Sequence, residues 1–311
     1  MLVTRDWLGA PADGKPGVVM TVGVFDGLHL GHRHLIGQVV ARAKKRGALS
    51  LVITFEPHPM AVLSPGTAPE ILTTFDQKVE ILGSMGLDRL GCLEFDEKLR
   101  GLSAVEFLDE AVGSRLSPLE IVIGPDFRFG RDAEGGLGTL RQWARGRRVA
   151  VTPVRRQVGG GQLDYSSSHV RSLLKIGLVD SAALVLGRPY RLSGEVVSGA
   201  ARGRDLGFPT ANLGDVAQLV PGPGVYAVRA TLRGVSRPGM TSIGQNPTFG
   251  ARYLTVETFL FDFSDDFYGE RLDIDFVAHL RGMVRFEGPA RLVEQLKADE
   301  LAAREILGFE M

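Results

Sequence analysis

The sequence predicts an α/β domain built on a parallel sheet, followed by a small antiparallel β-barrel domain with a C-terminal helix. Three observations carry this. Between residues 17 and 154, short apolar runs rich in β-branched residues alternate with stretches whose apolar residues recur at helical spacing. After Tyr190 the texture changes to short alternating runs separated by Gly/Pro clusters. Residues 289–307 then form one amphipathic segment. Strand–helix–strand alternation implies right-handed crossovers and a sheet buried on both faces. Closely spaced alternating runs imply an antiparallel sheet or barrel.

The elements follow in order. Residues 18–25 read as the first strand. Leu35, Ile36, Val39, Val40 and Ala43 then recur at helical spacing, and Gly47 stops that helix. Residues 49–55 form the next apolar run. Thr74-x-x-Gln77 and Ser103-x-x-Glu106 each read as a capping box before a helix. Further strands are expected at 90–95, 119–124 and 148–154. Residues 168–176 and 180–186 read as helical pieces, and Gly187-Arg188-Pro189 breaks the pattern. The expected domains are therefore 1–186 and 187–311. In the second, strands are expected at 192–197, 225–232, 254–261 and 272–278. The closing helix should turn Leu292, Leu296, Leu301 and Ile306 toward a core.

A length of 311 residues suits two domains of roughly 100–150 residues each. Lys+Arg and Asp+Glu are both 36, so there is no basic surplus of the kind that marks a nucleic-acid partner. The single cysteine, Cys92, excludes an internal disulfide and a cysteine-based zinc site, and its apolar surroundings make it a small core residue. No run approaches the ~18 apolar residues of a membrane span. Arg5 and Asp6 interrupt the stretch that a signal peptide would keep apolar. The expectation is a cytoplasmic protein without nucleic-acid or membrane partners. Glycine is abundant, 40 of 311 residues, and punctuates ordered segments, which suits turns where backbone approaches a ligand.

The most informative segment joins the first strand to the first helix: Gly23-Val-Phe25-Asp26-Gly27-Leu-His29-Leu-Gly31-His32. A helix N-terminus there presents unpaired N–H groups and a positive dipole end, which attract anions. Gly27 and Gly31 permit a bulky phosphate to approach. His29 and His32, three apart, share a face and can donate to phosphate oxygens as charge develops. A metal pair is disfavoured, because HExxH and any cysteine cluster are absent.

A second cluster, Ser166-Ser167-Ser168-His-Val-Arg171, offers hydroxyls and a guanidinium. Ser167 or Ser168 can cap a helix with Arg171 one turn in, which fits an anion site or equally a capped helix with a surface arginine. A third, Gly199-Ala-Ala-Arg202-Gly203-Arg204-Asp-Leu-Gly207-Phe-Pro209-Thr210-Ala-Asn212, combines a cationic glycine-rich loop with two oxygen-bearing side chains. By composition it fits a phosphate cover or a surface loop. Thr210 and Asn212 supply hard oxygens suited to Mg²⁺. No P-loop is present. Residues 222–227 fit GxGxxA but lead into a strand-like run, not a helix, so a dinucleotide fingerprint is rejected.

The HxGH string at His29–His32 resembles the signature of Rossmann-like nucleotidyltransferases. The class I tRNA synthetases share it, but a KMSK-like lysine loop is missing. The stretch GVFDGLHLGHRHLI resembles the FMN adenylyltransferase module of the bacterial bifunctional riboflavin kinase/FAD synthetase family. Thr54-Phe-Glu56-Pro-His58-Pro59 resembles that family's TFDPHP, with Glu for Asp. Gly124-Pro-Asp126-Phe127-Arg-Phe-Gly130 resembles its GxDFxFG. Residues 165–171 resemble ISSTxIR, with Tyr165 for Ile and Ser168 for Thr. Residues 199–212 resemble the riboflavin kinase loop leading into PTAN. Residues 223–227 resemble PGVYA, and 243–250 resemble IGxxPTFG, with Asn246 where Arg is common. Val256-Glu257 stands where that family carries its catalytic base, and Leu280-Arg281 completes the pattern.

The resemblance implies two reactions, riboflavin plus ATP giving FMN, then FMN plus ATP giving FAD and pyrophosphate, with Mg²⁺ as cofactor. It implies catalytic roles for His29, His32 and Glu257. It implies nucleotide contacts from Gly23, Phe25, Asp26, Gly31, Ser167, Ser168, Arg171, Gly199, Gly203, Arg204 and Gly207. Flavin contacts fall to His58, Asp126, Phe127 and Arg281, and metal ligation to Thr210 and Asn212. The departures in the TFDPHP-like and ISSTxIR-like strings leave the competing expectation of one activity only. A separate alternative is a flavin-binding regulator without turnover, against which His29, His32, Thr210, Asn212 and Glu257 stand intact.

Overall fold

In the computed structural model, which describes residues 1–9, 17–155, 165–198, 208–245, 254–263, 265 and 267–309, the expected parallel strands join in one six-stranded sheet. The chain forms two compact units, Met1–Tyr165 and Ser166–Met311. The first contains β1 (Leu2–Thr4), β2 (Gly17–Val22), α1 (Leu30–Arg46), β3 (Leu49–Glu56), α2 (Pro59–Leu63), α3 (Phe75–Ser84), β4 (Arg89–Glu94), α4 (Glu97–Gly101), α5 (Ala104–Leu108), β5 (Ser117–Ile123), α6 (Leu137–Arg145) and β6 (Ala150–Pro153).

Strand order is β1-β4-β3-β2-β5-β6, all parallel. The chain steps outward from β2 through β3 to β4, then returns to start again at β5 on β2's other side. That reversal makes the C-terminal end of β2 the topological switch point, where open α/β sheets bind ligands. Alternation along β2 fills both faces. Val18, Met20 and Val22 join a core with Phe107, Leu140 and Trp143, while Val19 packs against Val39 and Ala43 of α1. Cys92 lies buried on β4, where burial pushes its thiol up to about 11, so it packs as a protonated hydrophobe.

Both expected capping boxes are present, Thr74 with Gln77 on α3 and Ser103 with Glu106 on α5. Gly47 ends α1 in the left-handed region at φ 61, which glycine adopts without a Cβ clash. The first strand, expected to run to Phe25, stops at Val22. Phe25 itself is left-handed at φ 49, because the chain must turn sharply into the helix. β1 was not expected; it is a three-residue edge strand too short to show periodicity.

The second unit contains α7 (Ser167–Lys175), α8 (Val179–Leu186), β7 (Tyr190–Val197), β8 (Ala211–Gly214), β9 (Gly224–Leu232), β10 (Val235–Gln245), β11 (Leu254–Leu260), β12 (Arg271–Arg281) and α9 (Pro289–Leu307). Its strands close an antiparallel barrel in the order β10-β11-β8-β7-β12-β9. The sequence missed β8 and β10. β10 carries Pro238 and Gly239, which ordinarily argue against a strand. α8 packs on β12 and β7 through Val179, Ala182 and Val185, so residues 166–186 sit with the barrel, ahead of the textural break at 187.

α9 has the expected bounds, and Leu292 and Leu296 face inward as expected, but its second half does not keep the expected inner face. Leu301 and Ile306 are exposed at 49% and 48%, whereas Asp299 and Arg304 are buried beside Ala303 and Leu307. Arg304 Nη1 and Nη2 meet Asp262 at 2.9 Å each, and Arg281 pairs with Asp299. These ion pairs let charged residues take inner positions that apolar periodicity assigns to leucine.

One charge cluster fixes α1 to the sheet. The buried Glu120 of β5 accepts from Arg42 at 3.0 Å, Arg46 at 2.9 Å and Thr152 Oγ1 at 2.6 Å. Glu120→Ala should destabilise the chain by about 1–2 kcal/mol, less than a fully buried pair because both arginines reach solvent. Urea unfolding of the full chain measures it, and an unchanged midpoint would contradict this role.

Candidate active sites

The sharp turn after β2 builds the first site. Gly23 N donates to Ile53 O at 3.0 Å, and a Cβ on Gly23 would sit 2.8 Å from the Phe25 ring, so the close approach requires glycine. Asp26 is buried, and its carboxylate accepts from Leu72 N at 2.9 Å, Thr73 N at 3.0 Å and Thr73 Oγ1 at 3.1 Å. Gly27 N donates to Thr73 Oγ1 at 3.0 Å. Asp26 was expected to touch nucleotide; its carboxylate ties the turn to residues 72–73.

His29 and His32 occupy the start of α1, but not both inside it. His29 is the N-cap, and its Nδ1 accepts from the His32 backbone N–H at 3.3 Å. The rings stack with centroids 3.7 Å apart, and Phe25 meets His32 edge-on at 5.2 Å. An Nδ1 that accepts belongs to a neutral ring carrying its proton on Nε2. Burial, chiefly, holds the His32 pKa well below its usual 6.5. His32 Nδ1 is buried without a hydrogen-bond partner among the described residues. Two uncharged imidazoles at a helix N-terminus therefore offer N–H donors without competing for a proton. Gly31 lies between them, where an added Cβ would come within 3.2 Å of His29.

Lys78 of α3 was not found from sequence. It is buried, and its Nζ donates to Val24 O at 3.2 Å. The same carbonyl accepts from Thr54 Oγ1 at 3.1 Å. Burial lowers the Lys78 pKa, opposed by the charges of Asp26 and Glu56. Lys78 recurs in helical spacing and reads as an ordinary surface position; only the fold brings it to the turn.

The remaining expectations for this unit fall nearby in sequence but differ in environment. His58 caps α2 through Nδ1, accepting from Met60 N at 3.1 Å. Asp126 is exposed beyond β5. Phe127 stacks on Phe129 at 5.1 Å, and Phe129 approaches Phe107 at 5.9 Å. In the second unit, the cap of α7 is Ser166, accepting from His169 N at 3.2 Å, not Ser167 or Ser168. Those two serines are the first helical residues, and Arg171 follows within the next turn.

The barrel register assembles the second site. β8 pairs with β11 as Asn212↔Glu257, β11 with β10 as Glu257↔Ser242, β10 with β9 as Ser242↔Val225, and β9 with β12 as Val225↔Arg281. Directly opposed residues share a face, so these five side chains form one transverse row. The alternate residues Tyr226, Ile243, Val256 and Ile274 are almost fully buried and fill the barrel. The row lies on the other face, where α9 packs on β9, β10 and β12. There a cavity of about 280 Å³ is walled by Thr210, Ser242, Glu257 and Arg281, with Phe208, Phe259 and Phe286 among its apolar lining. Glu257 and Arg281 are its only charged lining residues among those described. The expected residues Gly199, Gly203, Arg204, Gly207 and Asn246 lie outside the described residues.

A parallel-sheet unit with an HxGH helix start, joined to a closed barrel holding a carboxylate beside hard oxygen donors, defines a two-module nucleotide-dependent transferase. The FAD synthetase family model matches residues 12–169, and the riboflavin kinase model matches residues 186–307. A bifunctional riboflavin kinase/FMN adenylyltransferase of Pseudomonas fluorescens is 37% identical over 289 residues, covering 93% of this chain and 92% of that protein. The protein of the same description from Bacillus subtilis is 34% identical, covering 92% and 91%. The chain belongs to the bifunctional riboflavin kinase/FMN adenylyltransferase family and carries both catalytic modules. A solved structure described as a macrolide-efflux protein from Streptococcus pneumoniae is also similar, with a TM-score of 0.86, 30% identity and coverage of 98% of this chain and 99% of that one. Among the described residues no helix is long and apolar enough to cross a membrane.

Two outcomes follow from the first site. Below about pH 6.5 the unfolded chain binds a proton that folded His32 refuses, so this residue removes stability as pH falls. His32→Gln should flatten the loss of thermal stability between pH 7 and pH 5; an unchanged slope would contradict the burial of a neutral ring. Lys78→Met deletes a charge-assisted hydrogen bond to Val24 O and should lower kcat/KM for adenylyl transfer about ten-fold, with kinase activity intact.

Proposed function

We propose that the barrel cavity binds riboflavin and that Glu257 is the general base for its phosphorylation. The observation that carries this reading is the register row, which sets Glu257 beside Asn212 on the wall of an apolar cavity that also exposes Thr210. The primary alcohol of riboflavin is neutral near pH 7 and needs a proton acceptor as it attacks the γ-phosphorus of ATP. A positioned base is worth roughly 10²–10⁴-fold. The new O–P bond forms as the γ-phosphorus separates from the β-phosphate oxygen. The alcohol proton passes to Glu257, and ADP leaves.

Mg²⁺ fits the donor set. The Thr210 hydroxyl and the Asn212 amide oxygen are hard ligands, and the ion ordinarily completes its shell with phosphate oxygens and water. When bound, it neutralises phosphate charge.

The β2–α1 turn serves the second reaction. An FMN phosphate oxygen attacks the α-phosphorus of ATP, and pyrophosphate departs as the bond to the β-phosphate oxygen breaks. The nucleophile is already ionised, so no base is needed. Neutral imidazoles suit this work. They donate hydrogen bonds to phosphate oxygens, and the helix N-terminus adds positive potential. Alignment supplies much of the rest, roughly 7–11 kcal/mol in favourable cases. Gly31 keeps the helix start open. Flavin contacts by His58, Asp126 and Phe127 belong to the same proposal.

Glu257→Gln tests the assignment. It should reduce FMN formation at least about 100-fold and leave FMN-to-FAD conversion unchanged when FMN is supplied directly. A parallel fall of both rates would overturn the separation of the sites, and intact FMN formation would remove Glu257 as the base. The same assay separates a chain with one activity from one with two.

A further inference from the structure

We propose that Asp299 is a positioning residue for riboflavin phosphorylation, holding the Arg281 guanidinium at the cavity wall. The inference rests on the cavity being the riboflavin site. Asp299 lies on α9 and is only 4% exposed. Arg281 Nε donates to both of its oxygens at 3.0 Å, and Nη2 donates to Oδ2 at 2.6 Å. Gln295, one turn earlier on α9, donates to Oδ1 at 2.8 Å and fixes the carboxylate from the other side. Arg281 Nη1 donates to Gly282 O at 3.1 Å.

A guanidinium has five N–H donors. Three are committed in this way, and two remain among the described contacts. Arg281 is also the one cation among the described residues that line the cavity, and its Cζ lies 5.7 Å from the Phe286 ring. An apolar slot with aromatic walls, and a guanidinium with two N–H groups unengaged among the described residues, suits a planar heteroaromatic ring carrying acceptors. The flavin ring has that chemistry.

Stability alone does not account for the pair. A buried ion pair can often be replaced by apolar residues at no loss, and α9 has the amphipathic pattern to supply them. What the pair does provide is a fork held in one plane. Without Asp299 the guanidinium keeps its charge but loses the partner that sets its direction. Asp299 therefore acts through Arg281 and touches no reacting atom.

The test is steady-state kinetics of the full chain with Mg²⁺, ATP and riboflavin, on Asp299→Asn, Arg281→Ala and the double variant. Asp299→Asn should raise the riboflavin KM about ten-fold while leaving the ATP KM and FMN-to-FAD conversion within two-fold. In the Arg281→Ala background it should add less than two-fold. An unchanged riboflavin KM, or an equal effect in both backgrounds, would overturn the proposal. If Asp299→Asn fails to fold, Asp299→Glu keeps the charge but displaces the fork, and the same selective rise in riboflavin KM is required. Glu257→Gln separates the two failures. An active Glu257→Gln enzyme rejects the cavity as the kinase site, whereas an inactive one with a normal riboflavin KM in both Asp299 variants rejects only the positioning role.

Discussion

In a closed antiparallel barrel a one-residue slip in any pair turns every side chain of that strand to the opposite face. Six pairings must therefore agree at once. Here that agreement puts Asn212, Glu257, Ser242, Val225 and Arg281 in a single row across five strands. These residues span seventy positions of sequence and come from strands of unequal length. The proposed kinase site is a consequence of register, and the buried aromatic filling of Tyr226 and Phe276, 5.3 Å apart, helps hold that register from inside.

The first unit solves a different problem. Adenylyl transfer needs no proton acceptor, because the attacking phosphate oxygen is already ionised. The Asp26 carboxylate accepts from residues 72–73, burial holds the His32 pKa well below its usual value, and His29 Nδ1 accepts a backbone N–H. Two positively charged histidines 3.7 Å apart would repel each other, so stacking and neutrality go together. The fold thus prepares hydrogen-bond donors and a helix end, and leaves the charge to the substrate.

Much of this was legible in the sequence. Fully buried strands produce apolar runs, so the sheet was readable; side-chain capping chemistry at Thr74 and Ser103 is local, so those helix starts were too. Pro289 and Gly308 bracket α9, which explains why its bounds could be read. The HxGH turn and the Glu257 position were found as motifs. What escaped depends on partners far away in the chain. Asp299 and Arg304 break the apolar pattern of α9 because Arg281 and Asp262 neutralise them. Lys78 meets Val24 across 54 positions. β10 was hidden by Pro238 and Gly239, and the serine cap of α7 was displaced by one residue because three consecutive serines are equivalent to any local rule.

The central claim is that one polypeptide cleaves ATP at two different phosphoanhydride bonds, in separate units. Phosphorus label transfer tests it most directly. Starting from riboflavin, ATP labelled at the γ-phosphorus should deliver label to FMN and leave it in FAD. ATP labelled at the α-phosphorus should label FAD alone, in equal molar amount. Label reaching FMN from the α-position, or FAD carrying phosphorus from only one of the two, would contradict the account.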